Sequence, residues 1–229
     1  LSKAIQNSCN PAFMEIGERI GADNFFKYTN AFGLRNITGI DLPGETEGIF
    51  FARNNFGIVE NATTSFGQGF QVTPLQLITA LSAVVNGGQR MRPLIVKNII
   101  GSEGIVKSYE PQAVNRVISE DTSKRMCSIL ETVVADPNAT GKNAYVKGFR
   151  IAGKTGTSEE GNRDLKKRIA SFVGFAPADN PQVLALVVIH NPHGIYYGGT
   201  IAAPVIKTIF ENILPYLGIE KTDESVYTN

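Results

Sequence analysis

Residues 151–158, with the sequence Ile-Ala-Gly-Lys-Thr-Gly-Thr-Ser, fit two unrelated catalytic motifs. Together with Gly148 they match the phosphate-binding pattern G-x-x-x-x-G-K-[ST], in which backbone N–H groups and a lysine hold nucleotide phosphates. Taken forward from Lys154, they form a Lys-Thr-Gly motif, which serves acyl transfer through a serine nucleophile. The first motif predicts a nucleotide hydrolase and the second an acyltransferase, so the choice between them decides the function.

The sequence around these residues disfavours the phosphate loop. The four residues between the two glycines include Phe149 and Ile151, which favour a strand over a bare loop. A phosphate loop must pass into a helix, but Thr155 is followed by Gly-Thr-Ser-Glu-Glu-Gly-Asn, which has two glycines and no apolar stripe. The best candidate for a strand that ends in a magnesium-binding Asp, residues 182–190, ends in His190 instead.

A second candidate element lies near the start of the chain, where Ser8-Cys9-Asn10 forms a Ser-x-Asn pattern followed by Pro11. Taken alone, Asn10 is explained as the N-cap of a helix with Pro11 at its first position. The same chain also contains the Lys-Thr-Gly that begins at Lys154, and the pair of motifs is a much more specific signal than either one.

Five further motifs follow in a fixed order, at residues 38–45 (TGIDLPGE), 65–69 (SFGQG), 72–76 (VTPLQ), 171–177 (SFVGFAP) and 198–204 (GGTIAAP). With these motifs, the chain resembles the transpeptidase domain of class B penicillin-binding proteins, the monofunctional D,D-transpeptidases that cross-link peptidoglycan. The resemblance covers residues 7–217. It implies peptidoglycan stem peptides ending in D-Ala-D-Ala as substrates and β-lactam antibiotics as ligands, without a cofactor.

The nucleophile motif of that family is absent from this chain. The family uses Ser-x-x-Lys, and no serine here has a lysine three positions later. In the family this motif lies N-terminal to Ser-x-Asn, whereas here only seven residues precede Ser8. We therefore expect a C-terminal part of a catalytic domain, truncated at its N-terminal side and inactive by itself, with the nucleophile upstream.

The resemblance assigns catalytic roles to three residues. Ser8 resembles the relay serine, whose hydroxyl passes a proton between the nucleophile, its lysine and the leaving nitrogen. Asn10 resembles the residue whose amide holds the substrate backbone and orients that lysine. Lys154 would place a positive charge on the opposite wall, where it favours the substrate carboxylate and the deprotonation of a relay hydroxyl.

Three residues after Lys154 are assigned to substrate binding by the same resemblance. The hydroxyls of Thr155 and Thr157 would bind the substrate carboxylate, and the backbone N–H of Thr157 would be one of two oxyanion donors. Gly156 has no side chain, so the strand could lie close against the substrate.

Two other interpretations remain open. Another penicillin-recognising serine enzyme (a β-lactamase, a D,D-carboxypeptidase or a β-lactam sensor) shares the central motifs, but residues 38–45 and 198–204 resemble class B transpeptidases specifically. A non-catalytic interaction domain derived from the same fold would explain the absent nucleophile. The intact trio of Ser8, Asn10 and Lys154 argues against it, because a degenerate site has no physical need for all three.

The balance of charged residues limits the classes of partner that the chain is expected to bind. The chain has 229 residues with 22 Lys and Arg against 21 Asp and Glu, and this balance disfavours nucleic acid and anionic membranes as partners. Cys9 and Cys127 are predicted to be free, buried thiols, and His190 with His193 makes too small a set for a metal site. We expect the parent protein to act on the extracytoplasmic face of the bacterial membrane, with its anchor upstream of this soluble segment.

The elements that must position these residues are helical first and stranded later. The sequence predicts helices over residues 11–20, 24–32, 73–86, 119–134 and 200–217. It predicts a hairpin over residues 93–109 and three strands over residues 146–156, 169–175 and 182–190. The 34–72 segment is predicted to be a long loop supported by short elements.

Three consecutive strands with short links predict an α+β fold with an antiparallel sheet flanked by helices. One domain would span residues 1–217, and residues 218–229 would form a polar, flexible tail. The strand over residues 182–190 is expected to expose an edge that pairs with a missing neighbour, so the isolated chain should self-associate or lose stability.

Overall fold

The structure is a computed structural model that describes residues 1–159 and 167–222. Within those ranges there are seven α-helices: α1 (Ser2–Gln6), α2 (Asn10–Ala31), α3 (Ile58–Ser65), α4 (Pro74–Val85), α5 (Glu120–Ala135), α6 (Gly198–Ile201) and α7 (Ala203–Tyr216). The same ranges contain seven strands: β1 (Gln89–Met91), β2 (Asn98–Gly101), β3 (Gly104–Ser108), β4 (Ala113–Arg116), β5 (Ala152–Glu159), β6 (Arg168–Ala176) and β7 (Val183–His190). Two short 3-10 helices lie at Arg53–Asn55 and Lys142–Ala144.

The central element is the antiparallel sheet β5–β6–β7. Lys154 on β5 is opposite Val173 on β6, which is opposite Leu186 on β7. One face packs against α7, and a second apolar cluster joins the sheet to α1 and α5. The predicted α+β fold, an antiparallel sheet flanked by helices, is confirmed.

Helix starts follow the capping pattern of the sequence. The Thr73 hydroxyl accepts a hydrogen bond from the Gln76 N–H at 3.1 Å, and Gln76 Oε1 accepts one from the Thr73 N–H at 2.8 Å. Ser119 caps α5 by accepting from the Thr122 N–H at 3.2 Å. Gly21 lies inside α2 with φ of 73°, so α2 is two helical segments joined at this kink, as the sequence predicts.

The start of α2 differs by one residue from the prediction. Cys9, and not Asn10, is the N-cap: its backbone is extended, and its carbonyl accepts from the Phe13 N–H at 3.1 Å. Asn10 is therefore the first helical residue. The Cys9 thiol is half-buried, whereas Cys127 is buried as predicted, and both cysteines are free.

Other boundaries also need correction. The predicted strand over residues 146–156 begins only at Ala152, because Gly148 with φ of 83° turns the chain before it can become extended. Val146 and Ile151 are nevertheless buried, so their apolar character reflects core packing outside a strand. Helix α3 lies within the predicted long loop, and the β1–β4 pair was not predicted. The closing helix begins earlier than predicted and is divided into α6 and α7.

The first residues of the segment predicted as a flexible tail, 218–222, have contacts in the structure. Ile219 is buried in the core and the Thr222 N–H donates to the Gly148 carbonyl at 2.8 Å, so the packed chain continues past Gly218. The rest of the predicted tail, residues 223–229, lies outside the described residues. No helix in the described part of the chain is long and apolar enough to cross a membrane.

The packing of α7 on the sheet should dominate stability. Phe210 is fully buried in the cluster that also contains Phe172 and Leu214. We expect Phe210→Ala to lower the free energy of unfolding by about 3–5 kcal/mol, through lost transfer free energy and the cavity it leaves. Denaturant unfolding followed by circular dichroism measures the change in the free energy of unfolding. Tyr216→Ala is the matched control, because Tyr216 is an exposed aromatic residue of the same helix. Equal losses for both variants would contradict the prediction.

Candidate active site

The two motifs separated by most of the chain meet in space. Lys154, at the third position of β5, donates from Nζ to the Ser8 hydroxyl at 2.9 Å. The same ammonium group donates to the Thr155 carbonyl at 3.0 Å and to Thr155 Oγ1 at 3.3 Å. A Ser-x-Asn and a Lys-Thr-Gly thus form one site, as the sequence predicts from their pairing.

Ser8 has an unusual backbone. Its φ is 51°, in the left-handed region, and Asn191 is the only other non-glycine residue of the described chain with positive φ. Such a conformation costs about 1–2 kcal/mol for a residue with a side chain. It occurs here directly after α1, where the Ser8 N–H donates to the Ile5 carbonyl at 3.2 Å and the Cys9 N–H to the Ala4 carbonyl at 2.9 Å. Strain of this kind is characteristic of functional sites.

Burial changes the acidity of Lys154. Desolvation disfavours the charged ammonium and lowers the pKa of Lys154 to about 8. The group can therefore both carry a positive charge and exchange a proton near neutral pH, which an exposed lysine with a pKa near 10.5 does not do readily.

The alternative interpretation of Asn10 as a simple helix cap does not hold, because Cys9 has that position. Asn10 is exposed on the first turn of α2, two residues from Ser8. A role for its amide in binding substrate stays a prediction.

Thr155 and Thr157 lie along β5, which is one of the two edge strands of the three-stranded sheet. The Thr157 hydroxyl accepts from the Gly198 N–H at 3.3 Å, at the start of α6. A Cβ on Gly198 would lie 2.1 Å from the Ser171 carbonyl oxygen and 2.5 Å from the Gly156 carbonyl oxygen. The glycine at the start of the GGTIAAP motif therefore allows α6 to lie directly on the Lys-Thr-Gly strand.

Gly156 has a packing role that the sequence did not reveal. A Cβ at this position would lie 2.4 Å from the Ser171 hydroxyl on the paired strand β6. A side chain here would therefore have to displace the Ser171 hydroxyl, and a role of Gly156 in substrate approach stays a prediction.

A double variant separates these two roles. We expect Gly156→Ala to lower the free energy of unfolding by about 1–3 kcal/mol through overpacking, and Ser171→Ala to restore most of that loss by removing the obstructing hydroxyl. Urea unfolding of the two single variants and the double variant tests this. A double variant as unstable as Gly156→Ala would contradict the packing role. Recovered stability without recovered ligand binding would show that the strand surface also needs the glycine for substrate.

The motifs at residues 38–45 and 65–69 are each fixed by contacts of their own. Glu45 accepts from the N–H and hydroxyl of Thr38, at 2.8 and 2.5 Å, which closes the first motif into a loop. Ser65 lies against Gly17 of α2, where a Cβ would come within 1.7 Å of its hydroxyl. The second motif therefore packs on α2, the helix that begins with Asn10.

The phosphate-loop interpretation is excluded by the same geometry. It needs a helix that begins at Lys154 and Thr155, but both residues are in the middle of β5. Phe149, in the segment that would have to surround phosphate, is buried in the core.

Sequence reasoning missed three residues that contact this site: Gln6, Asp136 and Thr140. Thr140 donates to the Gln6 carbonyl at 3.0 Å and accepts from Thr155 Oγ1 at 3.5 Å. The sequence signal for Asp136 and Thr140 is a polar segment, Asp-Pro-Asn-Ala-Thr-Gly, between an amphipathic helix and the Lys-Thr-Gly strand. That composition predicts a loop and gives no indication of which hydroxyl faces the site.

Comparison with known proteins shows which family has a sequence similar to this chain. Residues 1–211 match the family model described as the penicillin binding protein transpeptidase domain. The chain is 48% identical over 224 residues to stage V sporulation protein D of Bacillus subtilis, covering 95% of this chain and 34% of that protein. It is 34% identical over 224 residues to peptidoglycan D,D-transpeptidase FtsI of Escherichia coli K12, covering 96% of this chain and 36% of that one.

Solved structures agree with the sequence relatives. Penicillin binding protein 3 of Mycobacterium tuberculosis, complexed with ampicillin, superposes with a TM-score of 0.88 at 26% identity, over 97% of this chain and 52% of that chain. The transpeptidase domain of Burkholderia pseudomallei penicillin-binding protein 3 gives a TM-score of 0.84 at 30% identity, over 97% of this chain and 66% of that chain. The chain spans about a third of the length of the curated relatives it matches.

Proposed function

Because this chain belongs to the penicillin-binding protein transpeptidase family, we propose that it supplies most of the catalytic centre of a class B peptidoglycan D,D-transpeptidase. The observation that carries this proposal is the 2.9 Å contact between Lys154 Nζ and the strained Ser8. The proposed substrates are stem peptides ending in D-Ala-D-Ala, and β-lactams are the proposed covalent inhibitors.

The reaction requires a serine nucleophile, which we place N-terminal to this chain in a Ser-x-x-Lys sequence. Its oxygen attacks the carbonyl carbon of the penultimate D-Ala, the bond to the terminal D-Ala nitrogen breaks, and an ester forms. The serine proton passes to the leaving nitrogen through the Ser8 hydroxyl. An amine of a second stem peptide then attacks the ester, and the freed serine oxygen takes back a proton.

In this scheme Lys154 holds the Ser8 hydroxyl and attracts the terminal carboxylate of the donor peptide. The Thr155 and Thr157 hydroxyls bind that carboxylate, and the Thr157 N–H is one of two donors to the oxyanion. Asn10 binds the peptide backbone on the opposite side. The burial that lowers the pKa of Lys154 to about 8 suits a group that must stabilise a relay hydroxyl while it gives up its proton.

We place the parent protein on the extracytoplasmic face of the bacterial membrane, where peptidoglycan is cross-linked. The outer edge of β7, the last strand of the described sheet, is the proposed pairing site for a strand from the N-terminal part of the same domain. A second copy of the chain would replace that strand in its absence, and sedimentation of the isolated chain would reveal such an assembly.

The intact mass after incubation with benzylpenicillin tests the proposed function directly. We would compare this 229-residue chain with a longer form that carries the natural upstream sequence. An adduct on the longer form alone supports the proposal and the upstream nucleophile. An adduct on the 229-residue chain would show that one of its own serines reacts, and no adduct on either would favour a non-catalytic interaction domain.

A further inference from the structure

We infer that Gln6, Asp136 and Thr140 form a clamp that holds Ser8 opposite Lys154, with Thr140 as its main positioning residue. None of the three was assigned a role by the motifs of the chain. The inference rests on the proposed function, because its readout is acylation at the site that contains Ser8.

The clamp grips the last residue of α1 from two sides. The Gln6 side-chain amide donates to Asp136 Oδ2, and the Gln6 carbonyl accepts from the Thr140 hydroxyl at 3.0 Å. Gln6 is 4% exposed, which is unusual for a glutamine and shows how firmly it is enclosed. Asp136 is held in turn by the Asn138 N–H at 2.8 Å, so the loop that follows α5 keeps a fixed shape.

The other side of Thr140 faces the Lys-Thr-Gly strand. Lys154 Nζ donates to Thr155 Oγ1 at 3.3 Å, Thr155 Oγ1 donates to Thr140 Oγ1 at 3.5 Å, and Thr140 Oγ1 donates to the Gln6 carbonyl. In this series of hydrogen bonds, the Thr155 and Thr140 hydroxyls each accept one bond and donate the next. Because Lys154 also donates to Ser8, two residues after Gln6, the contacts close into a ring around the site.

This ring explains how an unfavourable backbone conformation persists at Ser8. A left-handed serine carries a conformational cost. Strained residues persist only where the surrounding structure over-determines them. The clamp supplies that constraint at the residue where α1 ends.

The loop that follows α5 also contacts α6, the helix that lies on the Lys-Thr-Gly strand. The Asn143 amide donates to the Gly199 carbonyl at 2.8 Å, and a Cβ on Gly199 would lie 2.1 Å from the Thr140 carbonyl oxygen. The segment from Asp136 to Asn143 therefore touches α1, β5 and α6 together. A shift of Thr140 would change the positions of several groups that must act on one substrate.

The test uses the longest natural form of the protein that carries this chain, with a fluorescent penicillin and the second-order acylation rate constant as readout. Thr140→Val keeps the shape of the side chain but removes the hydroxyl. We expect its acylation rate to fall about 10- to 100-fold, since small misplacements of catalytic groups have effects of this size. Thr140→Ser keeps the hydroxyl and should stay within about twofold of the unsubstituted protein.

Two controls separate positioning from a general loss of structure. Thr208 is another exposed threonine that donates to a backbone carbonyl, that of Pro204 at 3.2 Å, on helix α7. Thr208→Val should leave acylation unchanged, and Thr140→Val should still unfold in a single cooperative transition, which shows that its loss of acylation does not come from an unfolded protein. If Thr140 acts through Ser8, adding Thr140→Val to Ser8→Ala should lower the residual acylation rate little further.

The outcomes distinguish this inference from the proposed function. An unsubstituted protein that penicillin does not acylate would overturn the proposed function itself. An acylated protein with equal rates for Thr140→Val and Thr208→Val would overturn the clamp alone. Equal loss in Thr140→Val and Thr140→Ser, or full additivity with Ser8→Ala, would also overturn it, because the hydroxyl would then not act through Ser8.

Discussion

Replacing Lys154 by methionine should reduce penicillin acylation of the protein by about 10²- to 10⁴-fold, the usual range for loss of a positioned proton-transfer group. Methionine has a similar length and fills the same space, but it cannot donate to the Ser8 hydroxyl or to the Thr155 carbonyl, as Lys154 does at 2.9 and 3.0 Å. The variant should therefore keep its fold but bind substrate poorly. Stopped-flow measurement of acylation, together with thermal melting, checks both parts.

The pH dependence of acylation tests whether the charge of Lys154 is responsible for this effect. The pKa of Lys154 is about 8, so its positive charge is present below that pH and is lost as the pH rises through it. Acylation should therefore decline on the alkaline side with a midpoint near pH 8. Lys154→Arg keeps its charge at alkaline pH, so whatever activity it retains should lack this decline. A profile of the unsubstituted protein that stays flat to pH 10 would contradict the role of the Lys154 charge.

At Ser8, alanine and glycine should affect activity equally and stability differently. Both remove the relay hydroxyl, so both should lower acylation by about 10²- to 10⁴-fold. Alanine retains the left-handed strain of about 1–2 kcal/mol that the φ of 51° imposes. Glycine removes that strain but loses about 0.5–1 kcal/mol more through the flexibility of its unfolded chain. Because the first effect is the larger one, Ser8→Gly should be more stable than Ser8→Ala by about 0.5–1 kcal/mol.

Chemical denaturation of the two Ser8 variants measures this difference directly. Both variants lack the same hydrogen bond to Lys154, so that contribution cancels between them. A Ser8→Ala variant that is more stable than Ser8→Gly by about 0.5–1 kcal/mol would show that the backbone at Ser8 carries no strain, because only the flexibility cost of glycine would then remain. Retained acylation in both would remove Ser8 from the proton path.

The sequence was sufficient to predict the central elements of the fold. Alternation and turn residues locate β6 and β7 to within a residue or two, and the caps Thr73 and Ser119 locate the starts of α4 and α5. Such signals are local, because a strand period or a cap depends on a few neighbouring residues. The pairing of Ser8 with Lys154 was also predictable, although only because the two motifs together resemble one family.

What the sequence did not predict depends on tertiary contacts. Helix α3 consists mostly of residues with modest helix propensity, and its seat against Gly17 fixes it. Gly156 was assigned to substrate approach, but its nearest obstacle is Ser171, on a strand whose register only the folded sheet defines. Thr140 gave no signal because its partners, Gln6 and Thr155, belong to different elements.

The docking of α1 gives the site a kinetic property. Ile5 lies in a core cluster and Gln6 is held by Asp136 and Thr140, so these contacts together oppose the local opening of α1. Whenever α1 undocks, Ser8 leaves Lys154 and the molecule is temporarily incompetent. The observed acylation rate then equals the intrinsic rate multiplied by the docked fraction. Amide hydrogen exchange at Ile5 and Cys9 would report that fraction, and substitutions in the core beneath α1 could adjust the rate without contacting substrate.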